Sequence, residues 1–187
     1  SNLDAHLRDE MRELIMRIYK EFDVTIIFVT HDQEEAVQLA DRIALMFEGR
    51  LQQFSLSQDF YERPASRRIA SFFGNNNHLP GVKKGNMVST AVGDFRVRDD
   101  LDVPDGKVTM VIRPESIGMH GSDENSFTAT IHRSIYMGTY IRYRIYMDDR
   151  EWDVIGSPHP DETYAEGKAG VFTLPVSKIW LLSEEQE

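Results

Sequence analysis

The sequence predicts an α/β segment over residues 1–74 followed by a small all-β barrel over residues 75–187. Three observations predict it. Apolar residues recur at helical spacing near the start, through Leu7, Met11, Leu14, Ile15, Ile18 and Phe22. A β-branched run, "VTIIFVT", then breaks off at Thr30-His31-Asp32, where a polar helix start begins. From Asn75 onward that style gives way to short strands separated by Gly and Asp turns.

Within the first segment, residues 3–22 form the first helix, with Asp4 as its N-cap accepting amide hydrogen bonds that the first turn leaves free. Residues 24–30 read as a strand buried on both faces, because the run does not alternate. In the second helix Ala36, Leu39, Ala40 and Ile43 form one stripe, and Asp32 and Glu35 have the spacing of a capping box. "RIALMFEGRLQQF" reads as strand, turn at Glu48-Gly49, strand. Two short helices close the segment. Ser55 and Gln58 cap the first and Pro64 stops it; Ile69, Phe72 and Phe73 make the apolar face of the second, and Gly74 ends it.

"NNNHLPG" reads as a turn-rich joint. Strands follow at "NMVSTAV", "DFRVRD", "KVTMVIRP", "SFTATIHRSIYM", "TYIRYRIYM", "EWDVIG" and "GVFTLPVSKIWLL". Their number and spacing suggest a barrel.

Composition narrows the function. The chain has 187 residues and 41% hydrophobic positions, enough for a packed core in one domain or two small ones. A net charge of −10 argues against a nucleic-acid partner, since phosphate backbones select basic faces. There is no cysteine, so disulfides are excluded. No apolar run approaches the roughly 20 residues that span a bilayer, and residues 1–20 lack the apolar core of a signal peptide. A soluble or peripheral cytoplasmic protein is expected.

His31 is the candidate that matters most. A strand feeding directly into a helix N-terminus creates a polar pocket at the carboxyl end of a sheet, where ligands of open α/β folds bind. Free helix N–H groups there favour anions. An imidazole at that edge can bond a phosphate oxygen or orient a water; the plainer alternative is a histidine that caps or packs.

The stretch "VTIIFVTHDQEEAVQLADRIALMFEGRL" resembles the switch-histidine segment of ATP-binding-cassette (ABC) ATPases. "SNLDAHLR" resembles that family's D-loop, whose aspartate lies across the dimer interface near the partner's nucleotide. The resemblance makes His31 the catalytic switch histidine and Asp4 the D-loop aspartate. No G-x-x-x-x-G-K-[ST] loop is found, nor the family's signature motif or magnesium-binding strand. By resemblance, the chain is then the C-terminal portion of such an ATPase, the end of a P-loop NTPase-type domain, and is inactive alone.

The rest fits the same family. "RIASFFGNNNHLPG" resembles the joint to the additional domain of importer-type subunits, and "MVIRPESI", "IYMGTYIRYRI" and "GVFTLPVSKIWLL" resemble that domain itself. This is the transport-associated OB-like (TOBE) domain. The resemblance implies ATP and Mg²⁺ as cofactors of the intact protein, transmembrane permease subunits as partners, a homodimer, and a place on the inner face of the cell membrane. It also implies pairing and regulation through the barrel. The competing reading is a stand-alone OB-like module for a small ligand.

Other candidates carry plainer explanations. Arg113-Pro114-Glu115 reads as a strand end, with Pro114 blocking further ladder bonds and Arg113 pairing with a carboxylate. Tyr136, Tyr140, Tyr143 and Tyr146 could stack nucleobases, but the acidic balance favours core or interface packing. His78, His120, His132 and His159 lack metal-ligand spacing, so no metal is expected. Residues 183–187 read as a solvated tail. The stripe Met11, Leu14, Ile15, Ile18 faces a core that is mostly missing here, and is expected to be partly bare.

Overall fold

A computed structural model of the chain describes residues 5–22, 24–119, 121, 124–147, 150–158 and 164–184. Two compact units are present, Ser1–Tyr61 and Glu62–Glu187.

In the first unit, helix α1 (Ala5–Phe22) follows the predicted periodicity. Its apolar stripe is largely bare: Met11, Leu14 and Ile18 are exposed. Helix α2 (Gln33–Leu39) starts where Asp32 caps it, and Ala40 closes it by donating its N–H to Ala36 O. The predicted stripe overshoots, because Ile43 belongs to strand β1 (Arg42–Phe47). Strand β2 (Arg50–Leu56) pairs antiparallel with β1 through the Glu48-Gly49 turn. Both turn residues have positive φ, +52° and +73°, as a two-residue hairpin turn with right-handed twist requires. Tyr19 Oη donates to Asp41 at 2.9 Å and ties α1 to the start of that hairpin.

The strand expected over residues 24–30 does not form. A strand buried on both faces needs sheet neighbours, and among the described residues of this unit only β1 and β2 pair. Ile27 and Val29 are therefore 88% and 90% exposed.

Helix α3 (Asp59–Glu62) begins at Gln58, whose carbonyl accepts from Tyr61 N–H. Ser55 does not cap it; this residue lies inside β2 and accepts from Gln53 Nε2. Helix α4 (Arg67–Phe72) is capped by Ser66. The strands of the second unit follow in order: β3 (Asn77–Lys84), β4 (Met87–Thr90), β5 (Gly93–Arg96), β6 (Gly106–Ile112), β7 (Ser126–Tyr136), β8 (Ile141–Met147), β9 (Arg150–Gly156), β10 (Ala169–Thr173) and β11 (Ile179–Ser183). They make a five-stranded sheet, β11-β6-β3-β4-β5, and a four-stranded sheet, β10-β7-β8-β9. Together they give the predicted OB-like barrel.

Alternation builds its core. In β7 Phe127, Ala129 and Ile131 face inward between exposed neighbours. They meet Leu79, Val88 and Met110 of one sheet and Ile145, Trp152 and Phe172 of the other. Phe127 stacks on Phe172 at 5.6 Å and sets its edge toward Trp152 at 5.9 Å. Two asparagines bridge strands that do not pair. Buried Asn77 exchanges bonds with the main chain of Asp153, Nδ2 to O at 2.8 Å and N to Oδ1 at 2.9 Å. Asn125 accepts from Arg96 N and donates to the carbonyls of Arg96 and Leu174.

The predicted joint at "NNNHLPG" is mostly strand, since β3 opens at Asn77. Pro80 is tolerated there because it sits opposite Thr109 of β6, while pairing with β4 starts only at Gly81. The segment before β3 packs on the barrel. Ala70 lies against Val111 and Leu182, and Trp180 Nε1 donates to Pro64 O at 3.0 Å. The unit accordingly begins at Glu62, thirteen positions before the composition shifts at Asn75.

Candidate functional site

His31 sits in the turn between residues 24–30 and α2, and it is exposed. Its neighbours are bonded to one another. Thr30 Oγ1 donates to Glu35 Oε2 at 2.6 Å and accepts the Asp32 N–H at 3.0 Å. Asp32 Oδ1 accepts the N–H groups of Glu34 at 2.9 Å and Glu35 at 3.3 Å. Glu35 Oε1 lies 3.6 Å from Arg12 Nη2 of α1, and both side chains are more than four-fifths buried.

Two expectations change. The Asp32–Glu35 spacing gives a cap without the reciprocal half of a capping box, because Thr30 takes the Asp32 N–H and also binds Glu35. The Glu34 and Glu35 amides at the start of α2 are not open to an anion, because the Asp32 carboxylate already occupies them. What the turn offers is the His31 imidazole, which bonds no group among the described residues. Asp4 lies outside the described residues, immediately before α1.

Thr30, Glu35 and Arg12 escaped the sequence reading as a set. A threonine one residue before a histidine and five before a glutamate was the available signal. Arg12, on a different element, had none.

The other candidates resolve as follows. Arg113 Nη1 donates to the Phe73 carbonyl at 2.8 Å, past the end of α4. The four tyrosines do not act together: Tyr143 is buried, while Tyr136 and Tyr146 are exposed. Burial pushes the Tyr143 phenol up, and the hydrogen bond to Glu151 does the same for Tyr146. Both phenols stay protonated near neutral pH and are poor bases. The His132 ring meets that of Tyr146 in a tilted contact, centroids 4.8 Å apart. His120 and His159 lie outside the described residues. No group of three His, Cys, Asp or Glu side chains fit to hold a metal exists among the described residues. No described helix is long and apolar enough to cross a membrane. Of the expected tail, Ser183 pairs within β11, and Glu184 accepts from Lys107 Nζ at 2.9 Å.

Residues 110–182 match the model of the TOBE domain family. Curated relatives extend the match to both units. A spermidine/putrescine import ATP-binding protein, PotA, of Ruegeria pomeroyi is 33% identical over 186 residues, covering 94% of this chain and 50% of that protein. An Fe(3+) ions import ATP-binding protein, FbpC, of Vibrio cholerae is 34% identical over 155 residues, covering 81% of this chain and 44% of that one. The chain thus spans about half the length of the curated relatives it matches. Among solved structures, the cytoplasmic molybdate-binding protein ModG aligns with 56% of this chain and 94% of its own, at 14% identity and a TM-score of 0.45.

Proposed function

We propose that the chain forms the C-terminal part, the switch-histidine end and barrel, of an ATP-binding subunit of an ABC importer; its TOBE match and its likeness to import ATP-binding proteins support this reading. In this reading the intact protein binds ATP with Mg²⁺ and hydrolyses it to drive solute import. It does so at the inner membrane face, with permease subunits as partners. The barrel contributes to pairing and regulation, and the assembly is a homodimer. Asp4 sits at the dimer interface near the partner's nucleotide.

One observation carries the reading of the site. His31 is exposed and unbonded among the described residues, on a turn whose other polar groups are engaged with one another. A histidine that merely capped would be spending its nitrogens on the backbone; here Asp32 caps instead. The imidazole is thus available to a phosphate oxygen or to the attacking water. Phosphoryl transfer rests on positioning and on electrostatic stabilisation of the phosphates. The residues present do not supply the rest of that arrangement. The sequence has no phosphate-binding loop, and the described residues have no carboxylate cluster for Mg²⁺. This chain alone is therefore expected to show no turnover with ATP and Mg²⁺.

The test is His31→Ala in the intact subunit. Losing a polar group positioned at developing charge typically lowers turnover by about 10²–10³-fold. ATP binding and thermal midpoint should be retained. Near-normal turnover would show that His31 is a surface residue without a catalytic part.

A further inference from the structure

We infer that Thr30, Glu35 and Arg12 are positioning residues for His31, and that they join its turn to helix α1. This rests on the reading of His31 as a group that contacts the phosphates. The Thr30 hydroxyl uses both of its capacities locally. It donates to Glu35 Oε2 at 2.6 Å and accepts the Asp32 N–H at 3.0 Å, so it spans His31 on both sides. Asp32 Oδ1 accepts the amides of Glu34 and Glu35. His31 thereby lies between a threonine whose hydroxyl is bonded on both sides and an aspartate whose N–H is held by that hydroxyl, while its own ring is left free of described partners.

Glu35 then links the turn to another element. Its second oxygen lies 3.6 Å from Arg12 Nη2, and side-chain exposures of 19% and 16% keep this pair from being the freely solvated kind. Arg12 is also held by Asp9, at 2.8 Å, on its own helix. The route from α1 to His31 is thus Arg12, Glu35, Thr30, with the Asp32 amide as last step. Helix α1 starts at Ala5, the residue after Asp4. From Ala5 to Arg12 is about 10 Å along a helix. The same chain of bonds therefore connects the element that follows Asp4 with the turn that presents His31. A rigid turn matters because a misplacement of about 1 Å at a reacting group can cost about 10²-fold in rate.

The experiment compares Thr30→Val, Thr30→Ser, Glu35→Gln and Arg12→Met in the intact subunit, alone and combined with His31→Ala. Thr30→Val is expected to lower kcat by about ten- to a hundredfold with KM for ATP little changed. Thr30→Ser, which keeps the hydroxyl, should stay near wild type. Arg12→Met and Glu35→Gln should lower kcat less, because the hydroxyl still has an oxygen to bond. In the His31→Ala background none of the three should lower turnover further, since each acts through the imidazole. A second readout uses this chain itself: the backbone order parameter of His31 should fall in Thr30→Val from the rigid value of about 0.85 toward about 0.6.

The outcomes separate the two ideas. If His31→Ala leaves turnover intact, the reading of the site fails. If His31→Ala abolishes turnover while Thr30→Val keeps wild-type kcat and order parameter, only the positioning inference fails. Losses that add to His31→Ala, accompanied by a lower thermal midpoint, would make these residues structural and overturn it as well.

Discussion

Asn77 is a polar side chain that the barrel buries because it replaces missing strand pairing. Its amide meets both the N–H and the carbonyl of Asp153, on a strand of the other sheet. Asn77→Ala leaves two main-chain groups without partners in a part-buried place. Each unsatisfied group costs about 1–3 kcal/mol, so a loss of roughly 2–4 kcal/mol is expected in urea unfolding of the chain. A loss below about 0.5 kcal/mol would mean that water replaces the amide fully. Asp105 makes a pH-dependent contribution. The Gly85 N–H, at 2.9 Å, and then the Lys83 ammonium, at 3.2 Å, hold its carboxyl below the usual aspartate range. A group whose folded pKa is depressed stabilises fully above its unfolded pKa. That contribution is lost as pH falls through the folded value. The stability gap between wild type and Asp105→Asn should therefore be widest above the usual aspartate range and narrow as pH falls below it. A gap that is constant with pH would show that the charge of Asp105 is not what matters.

At the scale of elements, the connecting segment through α4 behaves as part of the barrel. Ala70 covers Val111 and Leu182, Trp180 reaches the Pro64 carbonyl, and Arg113 reaches that of Phe73. We expect residues 62–187 to melt cooperatively on their own. Starting instead at Asn75 uncovers Val111, Leu182 and part of Trp180. That exposure should cost roughly 3–5 kcal/mol, on the scale of two buried apolar side chains. Equal urea midpoints for the two fragments would show that α4 is only a linker. The same elements show what was legible in the sequence. Local chemistry was: the Glu48-Gly49 hairpin turn and the Asp32 cap both appear where the residues put them. Non-local requirements were not. Residues 24–30 have the composition of a buried strand, but a strand needs neighbours, and none pairs with them here. Asn75 marks a change in composition, whereas the unit boundary depends on what packs against Val111, which no local pattern reveals. At the candidate site His31 could be singled out from its junction. The Arg12–Glu35 pair joins positions twenty-three apart on different helices, and only the fold brings them together.

For the whole molecule, the open question of physical interest is which apolar surface drives self-association. The first unit exposes Met11, Leu14 and Ile18 on α1, Ile27 and Val29 beyond it, and Leu51 and Phe54 on β2. Among the described residues the β1–β2 pair has no third strand, which leaves its edge N–H and C=O groups without ladder partners there. The barrel exposes Val82 on β3, Met87 on β4, Tyr136 and Met137 near the β7–β8 turn, Tyr146 on β8 and Val171 on β10. Exposed apolar surface marks association sites where it is contiguous. We expect the chain to be a dimer at micromolar concentration, held at least partly through the barrel. Light scattering on the full chain and on residues 62–187 separates the two sources. If both are dimers, the barrel carries the contact, and Tyr136→Ser with Met137→Ser should shift 62–187 toward monomer. If only the full chain associates, and its mass keeps rising with concentration rather than stopping at two, the exposed face of the first unit is responsible. A pairing role for the barrel would then lose its support, while the reading of His31, which rests on the turn between Thr30 and Glu35, would stand unaffected.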